Sequence, residues 1–143
     1  MPEKFDIKEI LSSTTIKEHP EDFLIVYIDP REISIARKLL CDIGPWASVT
    51  YSPEEVSLVI EESKWNKMRY AFDNYKVSEP YRLLTFDIVL DLSIVGFLSV
   101  VSRVLADSGV SIYALSTYLK DHILVKKSDL EKAVNALNAV VGH

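Results

Sequence analysis

The apolar and polar positions divide the chain into a polar opening and two longer segments that share an order of elements. From Met1 to Asp22 apolar residues are sparse; Phe5, Ile7, Ile10 and Leu11 are spaced for one or two turns of amphipathic helix, and residues 1–22 read as an N-terminal appendage. Phe23 to Ile28 is a continuous apolar run, the pattern of a buried central strand. Asp29-Pro30-Arg31-Glu32 then opens a helix, with Asp29 as cap and Pro30 at the first position. Ile33, Ala36, Leu40 and Ile43 form the buried face of that helix, and Gly44-Pro45 stops it. Two strands follow, Trp46 to Tyr51 and Val56 to Ile60, joined by the wet turn Ser52-Pro53-Glu54-Glu55. From Glu61 to Pro80 charges interleave with Trp65, Tyr70, Phe72 and Tyr75, which reads as a connector that packs its aromatics onto the body.

The second segment has a stronger pattern. Arg82 to Leu90 predicts a long strand, and Ser93 is placed to cap a helix whose apolar residues Ile94, Phe97, Leu98, Val101, Val104 and Leu105 recur at helical spacing. Gly109 ends that helix. Val110 to Ser116 and His122 to Lys126 predict two more strands, and Ser128-Asp-Leu-Glu131 is a capping box before a last helix that buries Leu130, Ala133, Val134, Leu137 and Val141. The chain is therefore a degenerate repeat of βαββ units. The expected fold class is α+β, ferredoxin-like, with antiparallel sheets and helices on one face. The expected divisions are 1–22, a first half with connector over 23–80, and a second half over 81–143.

Composition narrows the function classes. The 143 residues are 48% hydrophobic, enough to fill a core, and the 26% charged residues mix both signs to a net charge of -5. The most basic short stretch, Lys64 to Arg69, is too sparse to track phosphates, so no nucleic-acid partner is expected. The single cysteine, Cys41, allows neither an intrachain disulfide nor a multi-thiolate metal site, and reads as a small residue near a helix end. No apolar run suits a signal peptide or a membrane span, which makes the cytoplasm the expected location and excludes a membrane partner. The imidazoles His19, His122 and His143 lack metal-ligand spacing, and there is no phosphate loop or nucleophile elbow. Asp121 and His122 are adjacent, but neighbours on a strand point to opposite faces. No catalytic residue, metal or cofactor is expected.

The run Asp91-Leu-Ser-Ile-Val-Gly96-Phe-Leu, with Leu105-Ala-Asp-Ser-Gly-Val-Ser-Ile112 and Ser116-Thr-Tyr-Leu-Lys-Asp121-His-Ile-Leu-Val125, resembles the ACT-domain family, which includes CASTOR-type arginine sensors and short bacterial tandem-ACT proteins. Ala47 to Val59 resembles the same family more thinly. The resemblance implies paired βαββαβ blocks, no catalysis, and an amino-acid effector bound at the interface of the two halves or of a dimer. The chain departs from the family pattern at Leu119 and Lys120, and at His122, where the family has an aromatic residue. A protein-interaction or oligomerisation module on the same scaffold is the alternative, with exposed Trp65, Tyr70 and Tyr75 as its expected mark.

An amino acid needs an anion holder, a cation holder and a wall. The turn Ser93, Ile94, Val95, Gly96 opens a helix whose free N–H groups suit a carboxylate. Gly96 either admits the ligand to the backbone or permits close helix packing. Asp121 is the candidate for an ammonium or guanidinium, or else a turn residue at a strand entrance. Ser116 and Thr117 can aim hydroxyls at the same spot. The resemblance adds Ser57 and Leu58 from the first half, and a homodimer or a regulatory protein as further partners.

Overall fold

The computed structural model describes residues 6–141, and these divide into two units: 21–81, and 6–20 together with 82–141. In the first unit the order is β1 (Ile16–Ile28), a 3-10 turn at Pro30–Glu32 running into α2 (Ile33–Leu39), β2 (Ser48–Tyr51), β3 (Val56–Glu61), α3 (Glu62–Met68) and β4 (Tyr75–Val77). The strands pair as β2-β3-β1, with β4 on the other side of β1. All three pairings are antiparallel, with Val26 opposite both Leu58 and Val77. This is a complete βαββαβ block of ferredoxin type. Leu24, Val26 and Ile28 of β1 and Val56, Leu58 and Ile60 of β3 alternate onto one face, where they pack with Ala36, Trp65 and Phe72.

The expected connector is thus part of the block. Trp65 is buried on α3, stacked on Phe72 and edge-on to Tyr75. Asp29 caps its turn as expected, accepting from the Arg31 N–H at 2.9 Å, and the Arg31 guanidinium holds its carboxyl down to about 2. Helix α2 ends at Leu39, before Gly44, and Cys41 just beyond it is exposed.

In the second unit α1 (Ile7–Ser12) precedes β1, and β5 (Tyr81–Phe86), α4 (Phe97–Asp107), β6 (Ile112–Ser116), β7 (Asp121–Lys126) and α5 (Leu130–Asn138) follow in the later chain. The strand order is β1-β5-β7-β6, so the fourth strand of this block is supplied by the start of the chain. The described residues 6–20 are therefore part of this block and not an appendage to it. Strand β1 begins at Ile16, seven residues before the apolar run, and Ile7, Ile10, Leu11 and Ile16 pack on the core of this unit. Phe5 lies outside the described residues. The core joins Leu84 and Phe86 of β5, Ile123 and Val125 of β7, Phe97, Val101 and Leu105 of α4, and Ala133 and Leu137 of α5. Each Leu, Ile, Val or Phe among them, fully buried, contributes about 1.5–3 kcal/mol.

Three local expectations change. Strand β5 stops at Phe86, not Leu90, and a loop of residues 87–96 follows. Ser93 does not cap α4; the cap is Gly96. The expected box at Ser128 is not formed, because Lys127–Asp129 is a 3-10 turn and Asp129 is the residue before α5. Gly109, with φ 73°, does end α4: its N–H donates to the Ala106 carbonyl at 2.9 Å and that of Val110 to Leu105 at 2.9 Å.

Candidate functional site

The loop between β5 and α4 is shaped by its own side chains. Asp91 Oδ1 accepts the Ser93 N–H at 2.8 Å and the Ser93 hydroxyl, and the Ile94 N–H donates to the Asp91 carbonyl at 3.0 Å. This is an Asx-type turn, and Ser93 as donor holds the Asp91 carboxyl below the usual carboxylate range. Two contacts tie the loop to the β6–β7 turn. The Leu90 N–H donates to the Leu119 carbonyl at 2.9 Å, and Lys120 Nζ meets Asp87 Oδ1 at 2.6 Å, which lowers the Asp87 carboxyl.

Gly96 has φ 94°, a region L side chains rarely adopt, and an added Cβ would meet only Ile7 Cγ1, at 3.8 Å. The chain takes a left-handed conformation here as it enters the helix, one that glycine adopts without strain. The first intrahelical bond runs from the Val100 N–H to the Gly96 carbonyl at 3.1 Å. The N–H groups of Phe97, Leu98 and Ser99 thus have no acceptor within the helix, and they carry the positive end of its dipole.

A pocket of about 220 Å³ lies at this helix start. Leu90, Leu92, Ile94, Phe97 and Leu98 give it an apolar wall, while Asp91, Ser99, Ser116, Thr117, Lys120 and Asp121 give it a polar one. Of the residues expected from sequence, Ile94, Gly96, Ser116, Thr117 and Asp121 come together here. Ser93 is turned to Asp91 and Val95 is 83% exposed; neither is among the walls. Leu58 belongs to the hydrophobic core of the other unit, so its side chain is committed there, and Ser57 stands on β3 opposite Tyr27 and Thr50. Sequence reasoning missed Asp91, Ser99 and Lys120; the Asp91-x-Ser93 spacing was the available signal for the first of them.

The polar wall is backed by His122. It is 7% exposed, its Nδ1 lies 2.8 Å from Thr85 Oγ1 and its Nε2 3.0 Å from Thr117 Oγ1. Thr85 Oγ1 also meets His19 Nε2 at 2.8 Å. Burial first, and then the neighbouring His19, push the His122 imidazole below its ordinary value. Among the described residues no group of three His, Cys, Asp or Glu side chains could hold a metal ion, and no helix is long and apolar enough to cross a membrane.

No curated protein matches this sequence. Residues 76–139 match the model of the ACT domain. Among solved structures, a protein of unknown function from Vibrio cholerae, described as a possible transport protein, shares 22% identity at a TM-score of 0.70 over 94% of both chains. A protein from Agrobacterium tumefaciens shares 24% at a TM-score of 0.71 over 91% of both. The ligand-free regulatory subunit of aspartate kinase from Thermus thermophilus shares 10% at a TM-score of 0.67, covering 90% of this chain and 99% of that one. With the two ferredoxin-type blocks described above, these likenesses show that the chain shares the ACT-domain fold, with residues 76–139 similar to the ACT domain itself.

Proposed function

We propose that the chain is a non-catalytic regulatory module, acting in the cytoplasm, that binds an amino acid or similar zwitterion in the pocket at the start of α4. The carrying observation is convergence: Phe97, Leu98 and Ser99, whose N–H groups have no acceptor within the helix, and the acids Asp91 and Asp121 line one small cavity with an apolar wall. The N–H groups suit a carboxylate, the acids an ammonium, and Leu90, Ile94 and Phe97 a small side chain. The shared fold with a regulatory subunit of aspartate kinase supports a regulatory role. Both His122 nitrogens are engaged by threonine hydroxyls.

A thermal-stability screen against the common amino acids tests this. A ligand at about 100 times its dissociation constant adds roughly 2.7 kcal/mol. One or a few amino acids should raise the midpoint, and Asp121→Asn should abolish the rise. A flat response to all of them overturns the proposal.

An interaction or oligomerisation role is the second reading. Trp65 is buried and gives it no support, but Val89, Leu92, Tyr118 and Leu119 are exposed and line one shallow depression beside the pocket. In that reading a second copy covers the depression and light scattering reports a dimer. A monomer at high concentration rejects it.

A further inference from the structure

Three charged side chains line the pocket, Asp91, Lys120 and Asp121, and they are not engaged alike. Asp91 Oδ1 accepts both the N–H and the hydroxyl of Ser93. The Lys120 ammonium is held from outside: Asp87, which is not among the walls, meets its Nζ at 2.6 Å. Asp121 is half-buried and favours charge on the neighbouring His122 through space. Among the described residues its carboxylate makes no hydrogen bond or ion pair.

Both partners of the Asp87–Lys120 pair stand on fixed backbone. The Asp87 N–H donates to the carbonyl of Thr15, just ahead of β1, at 2.8 Å. On the other side the Lys120 carbonyl accepts the Thr117 N–H and the Thr117 hydroxyl, each at 2.9 Å, and the Leu119 carbonyl accepts the Leu90 N–H at 2.9 Å. What can move is the lysine stem, a flexible chain of four carbons that ends in a compact charge. Without Asp87, the acids left for that charge at the cavity are Asp91 and Asp121. Asp91 is already engaged by Ser93, so Asp121 is the stronger attraction. Lys120 is thus a built-in competitor for the ammonium of any ligand, and Asp87 keeps it occupied. Lys17 also acts on Asp87 through space, but the hydrogen bond goes to Lys120.

We propose that Asp87 is a positioning residue of the site: by holding the Lys120 ammonium it leaves the Asp121 carboxylate open for the ammonium of a ligand. The two paired side chains are 31% and 50% exposed, so solvent screens them and limits the effect to about fivefold. The inference rests on the pocket being the ligand site.

The test uses the full chain and two probes of one carbon skeleton, L-alanine and sodium propionate, which differ by the ammonium. Affinities are read from the amide shifts of Phe97, Leu98 and Ser99, and the alanine-to-propionate affinity ratio isolates the ammonium's share. Asp87→Ala should lower that ratio about three- to fivefold. Adding Lys120→Gln to Asp87→Ala should restore it, because the competitor is gone, and Lys120→Gln alone should not lower it. Circular dichroism checks that each variant folds. An unchanged ratio in Asp87→Ala, or a fall that Lys120→Gln fails to restore, overturns the positioning role and leaves the pocket standing. No shift with either probe in the unmodified chain overturns the pocket reading and the positioning role with it.

Discussion

Replacing Gly96 by alanine separates two descriptions of the pocket's floor by the sign of one energy. Were the helix to start at Ser93, Gly96 would lie in its first turns, and alanine would stabilise the chain by up to about 1 kcal/mol through its better helix propensity. In the structure Gly96 instead precedes α4 with φ 94°, and the new methyl would meet Ile7 Cγ1 at 3.8 Å, an ordinary contact. Steric conflict is therefore absent and the whole effect is backbone strain, a loss of about 1–2 kcal/mol. Gly109→Ala is an internal standard, since that residue has φ 73° and nothing within 4 Å of an added Cβ. Urea denaturation followed by circular dichroism, with unchanged m-value, measures both. A stabilised Gly96→Ala variant would refute the left-handed start of α4, and with it the position assigned to the free N–H groups.

Other substitutions probe the rest of the molecule. Trp65→Ala should cost about 3–5 kcal/mol because the ring is buried between Phe72 and Tyr75, whereas Tyr70→Ala, 79% exposed, should change stability by no more than about 0.5 kcal/mol; denaturation midpoints check both. His122 is held below its ordinary value of 6.5, so the unfolded chain takes the proton first as pH falls. Stability is then full above about pH 6.5 and declines below it, by at most about 1.4 kcal/mol per pH unit for one proton, and His122→Gln should flatten that decline in a pH series of urea melts. Asp29 has the opposite ordinary range: its carboxyl is held at about 2 against 3.8, so its contribution is present above about pH 3.8 and is lost as pH falls toward 2. Asp29→Asn should remove that part of the acid sensitivity, as read from acid unfolding curves.

What the sequence shows well is whatever is buried on one clear face. Strand β3, the central part of β1, β7 and the helices α4 and α5 carry continuous or periodic apolar residues, and those runs are the two cores. The missed strands are both at the edge of their block. Ile16–Pro20 is the part of β1 that belongs to the unit of β5, carries Lys17, Glu18, His19 and Pro20, and has the mixed exposure of an edge, so it lacks an apolar run. Strand β4 is three residues long and pairs only with β1. Helix α3 buries Trp65 alone, which is too little periodicity to read. The misplaced start of α4 has a local cause, since Ser93 is claimed by Asp91 two residues earlier and the chain turns through Gly96 before the helix can begin. At the site, residues close in sequence were legible: Ile94 with Gly96, and Ser116 and Thr117 with Asp121. The His122 chain was not, because its partners stand 37 residues away at Thr85 and a further 66 from there to His19. Only the pairing of β1, β5 and β7 brings them together.

The central claim is that a zwitterionic ligand sits at the start of α4, and a crystal structure of the full chain soaked in an amino-acid mixture tests it most directly. Density is expected with the ligand's carboxylate on the N–H groups of Phe97, Leu98 and Ser99 and its ammonium toward Asp121. An amino acid bound elsewhere on the chain, with this pocket holding only solvent, would contradict it.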